Sequence, residues 1–569
     1  MLLAALLKDK NKIMKKRYYT FALASLFSII TLAGCAPSDE LSTCDPLFGD
    51  CDSENSSSAI KIDLEKEQGT NYNFEGVSNA EGSVSYEIFV RSFFDTDNDK
   101  VGDFNGIIAK LPYLKKLGVS NLWLMPIHPT TSYHGYDVID YYDVNPEYGT
   151  MEDFDNLVKK AKEQNIDIMI DLVLNHSSDK CTWFEESYQD RKANKVGMDS
   201  KADWYAWSDK PQSGYRDYKD IYCEARFDTS MPEFNTNSES FRHEVGKILD
   251  FWTNKGVTGF RLDAAKHFSD GIPSESNDFM TFMKEHAGTD VSFVGEVLDP
   301  QFQSISTYYG SKCDSFFSVN ASLQSAGNES IVGLVKRFNK AATFGAVIER
   351  QEKEIKGKNP DAYSSYFLSN HDMDRSSNNL SGNDAKTAAS LYLLLPGTPY
   401  IYYGEEIGLL GKREVPDLSD ARRRLPMVWS KDDKTGECGF PEMSRPDLME
   451  NEQVELGGHD LEETGYSLYN HYRKVIEVRN KYPFIKNSIF TNLTSKLNTE
   501  KTDILAYSLT KGEEEIIIVL NFGLGNRQVD LPKEGLHIVD SISAPHRIPR
   551  TTEDGKLQIG GSSLVVLTK

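Results

Sequence analysis

The sequence has seven cysteines in 569 residues, with no CxxC pair and no His/Cys spacing suited to zinc, so a structural zinc site is excluded. Positive charge is also scarce. Lys and Arg total 63 against 86 Asp and Glu, a formal net charge of −23, which argues against nucleic acid or an anionic membrane surface as the main partner. Long apolar runs are missing as well: the stretch from Phe21 to Leu32, roughly a dozen mostly apolar residues, is too short to span a bilayer. What remains is a globular composition, 39% hydrophobic, in a chain long enough for one large domain plus a smaller domain or two.

That apolar stretch follows a basic region, Lys15, Lys16 and Arg17, and ends in LAGC. This resembles the bacterial lipobox, which implies a signal peptide within residues 1–35, cleavage before Cys35 and lipidation of its thiol; Met14 is a candidate alternative start. Residues 36–82 are rich in Ser, Asn, Asp and Glu and have the composition of a flexible tether. Six cysteines then remain. Cys44 with Cys51, and Cys181 with Cys223, are the candidate disulfides, and free buried thiols are the alternative.

From Ser83 strand-like and helix-like segments alternate, as in SVSYEIFVRSFF, KLPYLKKLGV, NLWLMPI, DFDNLVKKAKEQ and IDIMIDLVL, which implies parallel strands joined by helical crossovers. The alternation stops over 177–235, a Trp-, Tyr- and Asp-rich stretch, and resumes up to TPYIYYG, the expected last strand of the sheet. Beyond about Ile485 only short strands and turns follow. The expected fold class is α/β: a (β/α)8 TIM barrel over 83–484 with a small domain inserted at 177–235 after strand 3, and a C-terminal antiparallel β-sandwich over 485–569.

Four short segments, DLVLNH, GFRLDAAKH, FVGEV and FLSNHD, place Asp171, Asp263, Glu296 and Asp372 on or near strand ends. A TIM barrel gathers such side chains on one face, and paired carboxylates in a cleft point to glycosidic chemistry. Taken in order, with YHGYD before them and LPGTPYIYYGEE after, these segments resemble the signature regions of glycoside hydrolase family 13, the α-amylase family, from about Tyr86 to the C-terminus. The resemblance is to bacterial lipoprotein α-amylases intermediate between oligo-1,6-glucosidases and neopullulanases.

It implies Asp263 as nucleophile, Glu296 as general acid and then base, and Asp372 as the third catalytic carboxylate. Arg261, two residues before Asp263 on the same strand face, would keep that carboxylate ionised and oriented. His176 and His371 would hold sugar hydroxyls, Tyr136 would stack on the reacting ring, His134 would contact it, and Asp137 would stabilise the site. Lys266 and His267 resemble the pair that holds a longer α-1,4-glucan beyond the cleavage point. Nucleophile and acid are expected roughly 5–5.5 Å apart, with retention of the α configuration.

Calcium (Ca2+) is the expected cofactor. In DTDNDKVGD, the carboxylates of Asp95, Asp97, Asp99 and Asp103 with the Val101 carbonyl offer hard oxygen ligands at every second position, and Asn175 is a further candidate ligand. The loop is not an EF-hand, because Lys100 replaces the turn glycine and Gly106 stands where the bidentate Glu belongs.

The resemblance implies an endo-acting α-amylase on starch and maltodextrins, lipid-anchored at the bacterial cell surface or in the periplasm. Its partners are an α-glucan, an oligosaccharide transporter that receives the products, and the membrane through the anchor only; the chain is expected to be a monomer. MPEFN, from Met231 to Asn235, resembles the MPDLN form but departs from it at Glu233 and Phe234, so a neopullulanase- or cyclomaltodextrinase-like hydrolase or an α-glucan transferase stays open. A non-catalytic glucan-binding protein is the third reading.

Overall fold

A computed structural model describes residues 83–569 apart from 270, 323–324, 415–418, 444–452 and 545–546, together with Tyr72 and Phe74. The lipobox, Cys35, the Cys44/Cys51 pair and all of the expected tether except Tyr72 and Phe74 lie outside the described residues; those two are docked and not free, with the Tyr72 hydroxyl 2.7 Å from His471 Nδ1 and Arg473 3.6 Å over the Phe74 ring. Among the described residues, no helix is long and apolar enough to cross a membrane.

Eight strands form one parallel sheet: β1 (Ser85–Ile88), β2 (Asn121–Leu124), β3 (Asp167–Leu172), β4 (Gly259–Leu262), β5 (Ser292–Gly295), β6 (Ser315–Phe317), β7 (Tyr363–Ser365) and β8 (Tyr400–Tyr402). The ladder runs β7-β6-β5-β4-β3-β2-β1-β8. It is closed by two backbone bonds from the β8 side to the β7 side, Thr398 N to Ser364 O at 3.0 Å and Tyr400 N to Tyr366 O at 2.8 Å. The strands are short and buried almost throughout, as expected for strands covered on both faces by crossover helices. The helices start where side chains satisfy their free N–H groups. Thr150 and Asp153 form a reciprocal capping box at Met151–Glu163, and Ser238 caps Glu239–Asn254.

Between β3 and Glu239 the chain makes a helix, Thr182–Lys192, and a three-stranded antiparallel sheet, with Ile221–Glu224 between Trp207–Ser208 and Tyr215–Tyr218. Its core is aromatic: Phe184 stacks on Trp207 at 5.1 Å and packs on Tyr205 and Tyr218. Isolated bridges His176↔Glu233 and Tyr205↔Phe234 tie this excursion to the end of β3. Cys181 and Cys223 are both buried here as free thiols, so the candidate disulfide is not formed. Burial pushes both thiols up, and the Tyr205 hydroxyl lies beside them; each sulfur behaves as a small apolar core atom.

The C-terminal region has two antiparallel sheets. The larger runs β9-β10-β11-β16-β13, from Ile489–Asn492, Ile504–Lys511, Glu514–Asn521, Ser563–Thr568 and His537–Ile542; the smaller runs β12-β15-β14, from Arg527–Val529, Leu557–Ile559 and Arg550–Thr551. Alternation in β11 divides its side chains between two cores. Ile517 and Val519 pack with Val529, Leu557 and Ile559 between the two sheets, whereas Ile516, Ile518 and Leu520 join the core of the barrel.

Cavities open at both ends of the barrel. One of about 1010 Å³ is lined by the first residues of seven strands, Ser85, Asn121, Asp167, Ser292, Ser315, Tyr363 and Tyr400, and so marks the N-terminal end. The other, about 550 Å³, lies at the C-terminal end and contains Asp263, Glu296 and Asp372.

Candidate active site

Strand register brings the acids together. Asp171 of β3 pairs with Arg261 of β4, and Leu262 pairs with Gly295 of β5, so Asp263 and Glu296 emerge side by side one residue past their strands. Arg261, fully buried, connects them. Its Nη1 donates to Asp263 Oδ1 at 2.7 Å and to both oxygens of Asp171 at 2.9 and 3.0 Å. Its Nη2 lies 2.8 Å from Glu296 Oε1, an ion pair outside hydrogen-bond alignment. Glu296 Oε2 accepts the Ala264 N–H at 3.1 Å, which fixes the acid against the turn that follows Asp263. Ala264 has φ of 47°, a left-handed conformation for a residue with a Cβ, at the point where the chain turns away from the site.

Asp372 leaves the loop after β7. It is held by His371 Nε2 at 3.0 Å and by Arg424 Nη2 at 2.9 Å, and Arg424 Nε also donates to the His371 carbonyl at 3.1 Å. His371 Nδ1 lies 2.5 Å from Glu87 of β1. Tyr136 makes the floor: its hydroxyl donates to Asp171 Oδ2 at 3.1 Å and lies 2.7 Å from His371 Nε2, with the two rings stacked at 5.6 Å.

The electrostatics separate the acids. Burial pushes the Glu296 carboxyl up and the charges of Asp263 and Asp372 add to this, against the opposing pull of Arg261. Asp263 is also raised, by burial and by Asp372, with Arg261 and His371 opposing. Asp372 goes the other way. Burial acts to raise it, but the charges of His371, Arg424 and Arg261 hold it well below the usual carboxylate range. The same contacts raise His371 to about 10 despite its burial, so it is an imidazolium. The cluster thus sets five carboxyls, Glu87, Asp171, Asp263, Glu296 and Asp372, against three cations, Arg261, Arg424 and His371. A proton retained on one acid relieves that excess of negative charge.

The other expected residues are distributed around this centre. His134 and His176 are each lowered to about 4, chiefly by burial, and are neutral; Tyr136 N donates to His134 Nδ1 at 3.1 Å, and His176 Nε2 lies 3.1 Å from the Tyr136 carbonyl. Asp137 gathers the hydroxyls of Thr130, Thr131 and Ser132 and the Thr131 N–H, which overcome its burial and keep it below the usual range. It therefore shapes the 130–132 turn that lines the cavity. Lys266 and His267 are not among the residues that line the cavity: Lys266 pairs with Asp299 at 3.0 Å, and His267 packs against Phe227 at 5.5 Å. Of the MPEFN segment only Met231 lines the cavity, while Glu233 turns to Arg226 at 2.7 Å.

Four contributors had no signal in the short motifs: Glu87, Arg424, Phe227 and Leu298. Glu87 is in a strand with no recognised signature. Arg424 comes from the excursion after β8, and Phe227 and Leu298 line the cavity as apolar residues.

The acidic loop before Phe104 is apart from this cavity. Asp95, Asp97 and Asp99 each present a carboxylate oxygen within 4.8 Å of the others, one buried and two exposed. Burial raises Asp99 and the charges of Asp97, Asp95 and Asp103 raise it further, so the residues fit a hard cation that would neutralise them. The Asp103 carboxylate is engaged elsewhere, capping Phe104–Leu117 through Gly106 N at 2.6 Å and accepting from Thr96 N at 2.8 Å. Asn175 is buried at the end of β3, with its Nδ2 3.4 Å from His176 Nδ1.

Residues 87–488 match the family described as "Alpha amylase, catalytic domain". The chain is 38% identical to "Alpha-amylase 3" of Dictyoglomus thermophilum over 451 residues, which cover 77% of this chain and 84% of that protein. It is 27% identical to "Oligo-1,6-glucosidase" of Bacillus cereus over 524 residues, 79% of this chain and 92% of that one. Among solved structures, "Eubacterium rectale Amy13B" superposes with a TM-score of 0.78 at 30% identity, covering 88% of this chain and 98% of that one. The closed parallel barrel, the acids at its C-terminal end and these matches lead to one statement: the chain belongs to the α-amylase family and is a glycoside hydrolase.

Proposed function

We propose that the protein is a retaining, endo-acting α-amylase that hydrolyses internal α-1,4-glucosidic bonds of starch and maltodextrins. The observation that carries this reading is the single guanidinium of Arg261, 2.7 Å from Asp263 and 2.8 Å from Glu296. It opposes the upward push of burial on both carboxyls, and in this reading Asp263 takes the ionised, attacking role and Glu296 the proton-donating role.

Asp263 attacks the anomeric carbon as Glu296 protonates the departing glycosidic oxygen. Ester formation removes the negative charge of Asp263, one of the contributions that raise Glu296. The Glu296 pKa then falls, and the same group becomes the base that takes a proton from water in the second step. Water returns from the face the leaving group vacated, so the α configuration is restored. Asp372, ionised between His371 and Arg424, binds sugar hydroxyls and favours the distorted, oxocarbenium-like ring. Internal cleavage is supported by the resemblance of Lys266 and His267 to the pair that holds a longer α-1,4-glucan and by the name of the 38% identical relative.

Product analysis from amylose and pullulan tests this reading, with Asp263→Asn in parallel. Shorter linear maltooligosaccharides released as α-anomers, absent with Asp263→Asn, are the expected result. Panose from pullulan, or lengthened products, would move the assignment to a neopullulanase or a transferase. No turnover in the presence of Ca2+ would leave a glucan-binding protein.

Ca2+ in the loop of Asp95, Asp97, Asp99, the Val101 carbonyl and Asp103, with Asn175 as a further ligand, a lipid on Cys35, attachment at the cell surface or in the periplasm, monomeric action and transfer of products to an oligosaccharide transporter complete the proposal. The anchor rests on the basic region, the short apolar stretch and LAGC. Replacing Cys35 with Ala should release the protein from the membrane fraction, and a variant that stays bound would remove the anchor from the reading.

A further inference from the structure

Strand β1 is buried along its whole length, yet one of its four residues, Glu87, is a carboxylic acid. A buried carboxylate is costly unless a charge or a donor meets it. Glu87 stands in register between Trp123 of β2 and Tyr402 of β8, neither of them charged, so its own sheet offers no counter-charge at that level. The partner comes from the loop after β7: His371 Nδ1 lies 2.5 Å from Glu87 Oε1, with the histidine fully buried and the glutamate 2% exposed.

The other ring nitrogen is engaged as well. His371 Nε2 lies 3.0 Å from Asp372 Oδ2 and 2.7 Å from the Tyr136 hydroxyl, whose own proton goes to Asp171 Oδ2. An ionised carboxylate can only accept, and the Tyr136 oxygen is left to accept. Both nitrogens therefore face acceptors, and the ring satisfies them by carrying a proton on each. The charges of Asp171, Asp263 and Glu296 also reach the ring from β3, β4 and β5, while Arg261 and Arg424 act on Asp372 from its other sides. Trp123, edge-on at 5.7 Å, and Tyr136, stacked at 5.6 Å, hold the plane of the imidazole without adding charge. Neither Glu87 nor His371 lines the 550 Å³ cavity, whereas Asp372 does.

Resting on the hydrolase reading above, we infer that Glu87 is a positioning residue for the third carboxylate: it holds the second proton on His371, and the imidazolium so formed keeps Asp372 ionised and fixed at the cavity wall. Glu87 acts on the substrate only through His371 and Asp372. With an amide in its place, Nδ1 would face a group that serves equally well as donor or acceptor, and the ring could give up one proton. The sign of the effect follows. Glu87 and Asp372 are the two charges that raise His371 to about 10 against its burial, so removing Glu87 lowers it, and the imidazolium is then lost as the pH rises. On acidification the ring regains that proton with or without Glu87, so the defect belongs to the neutral and alkaline range.

The test uses the full-length protein and two readouts. The first is NMR of isotope-labelled histidine ring carbons across a pH series, with His371 identified as the signal missing from His371→Gln. In the unsubstituted protein that signal should stay that of an imidazolium to about pH 9, and in Glu87→Gln its midpoint should fall toward the ordinary value of about 6.5. The second is kcat on amylose, taken as the ratio of the unsubstituted protein to Glu87→Gln at each pH. The ratio should be smallest below about pH 6 and grow about tenfold by about pH 9. Glu87→Asp, which keeps the charge, should give a ratio that does not change with pH, whatever its size. A Glu87→Gln loss of the same size at every pH would reduce Glu87 to a packing residue and overturn the inference. So would an ordinary midpoint for His371 in the unsubstituted protein, a result that needs no folded Glu87 variant. If the protein turns over no glucan, the hydrolase reading fails, and the His371 midpoints still decide whether Glu87 holds the proton.

Discussion

Among the carboxyls that the barrel buries, two groups are held in opposite ways. At the site, Asp263, Glu296 and Asp372 face Arg261, Arg424 and His371, and the cluster opens into a cavity. Just past β8, Glu405 and Glu406 are buried as deeply but are held mainly by neutral hydroxyls. Tyr86 and Tyr113 donate to Glu406 at 2.7 and 2.8 Å, and Tyr392 and Tyr472 to Glu405 at 2.8 Å each. Burial raises the pKa of both glutamates, as it does for Glu296. Depth alone therefore does not make a catalytic acid. What distinguishes the site is that fixed cations lie against its acids, holding Asp372 low while burial raises Asp263 and Glu296, and that the cluster opens into a cavity.

The largest effect that tests this contrast is on turnover. Asp263→Asn should lower kcat on amylose by at least about 10⁴-fold with no loss of melting temperature, since it removes a charge from a crowded cluster. Initial rates with calorimetry on the same preparation check both halves.

Next comes the cation that the short motifs gave no sign of. Arg424→Gln should lower kcat by about 10²-fold and move the acid limb of the pH–rate profile to higher pH. The sign follows from Asp372: Arg424 helps hold its pKa down, so removing that charge raises it, and the ionised form is lost sooner on acidification. The alkaline limb should report Glu296, because activity needs its proton and disappears once the pH passes its raised pKa.

At the neutral cluster the effects should appear in stability. Glu406→Gln should cost about 1–3 kcal/mol in denaturant unfolding while leaving the turnover per folded molecule within about twofold. Glu405 adds a pH signature. Its pKa is raised from 4.5 to about 7, so its contribution is fully present below 4.5 and is lost as the pH rises toward 7. The unfolding free energy of the unsubstituted protein should therefore fall relative to Glu405→Gln across that interval. A flat difference would mean that the tyrosine hydroxyls fully compensate burial. The smallest expected change is at the acidic loop: Ca2+ should raise the melting temperature by a few degrees, and Asp97→Asn should remove most of that gain.

The clustering of acids at the C-terminal end of the barrel was legible in the sequence where chemistry and a strand coincided. Asp171, Arg261, Asp263 and Glu296 sit in or just after apolar strands, so their motifs and the barrel rule together bring them to one face. The N-terminal cavity, nearly twice as large, shows that size would have chosen the wrong end. Arg424 was not legible because its partner is 52 residues earlier and its own segment has no periodic pattern. Glu87 looks like any strand residue until His371, 284 positions away, is folded onto it. Asp103 fits a cation loop by its spacing and a helix start by its position, and in the fold its carboxylate accepts the N–H groups of Gly106 and Thr96, much as Asp95, Asp97 and Asp99 accept N–H groups of their own loop. The Cys181 and Cys223 thiols were ambiguous for a similar reason, since burial serves a free cysteine as well as a disulfide.

Strand β11 divides its side chains between two cores, and this orders events in time. The barrel's apolar outer layer includes Ile516, Ile518, Leu520, Leu564 and Val566. During synthesis those residues leave the ribosome only after all eight barrel strands have been made, so the nascent barrel carries an uncovered greasy flank until Leu564 and Val566 emerge. A chain cut before Leu564 would be left in that state for good, and its fate would be decided by chaperones and proteases before the active site mattered.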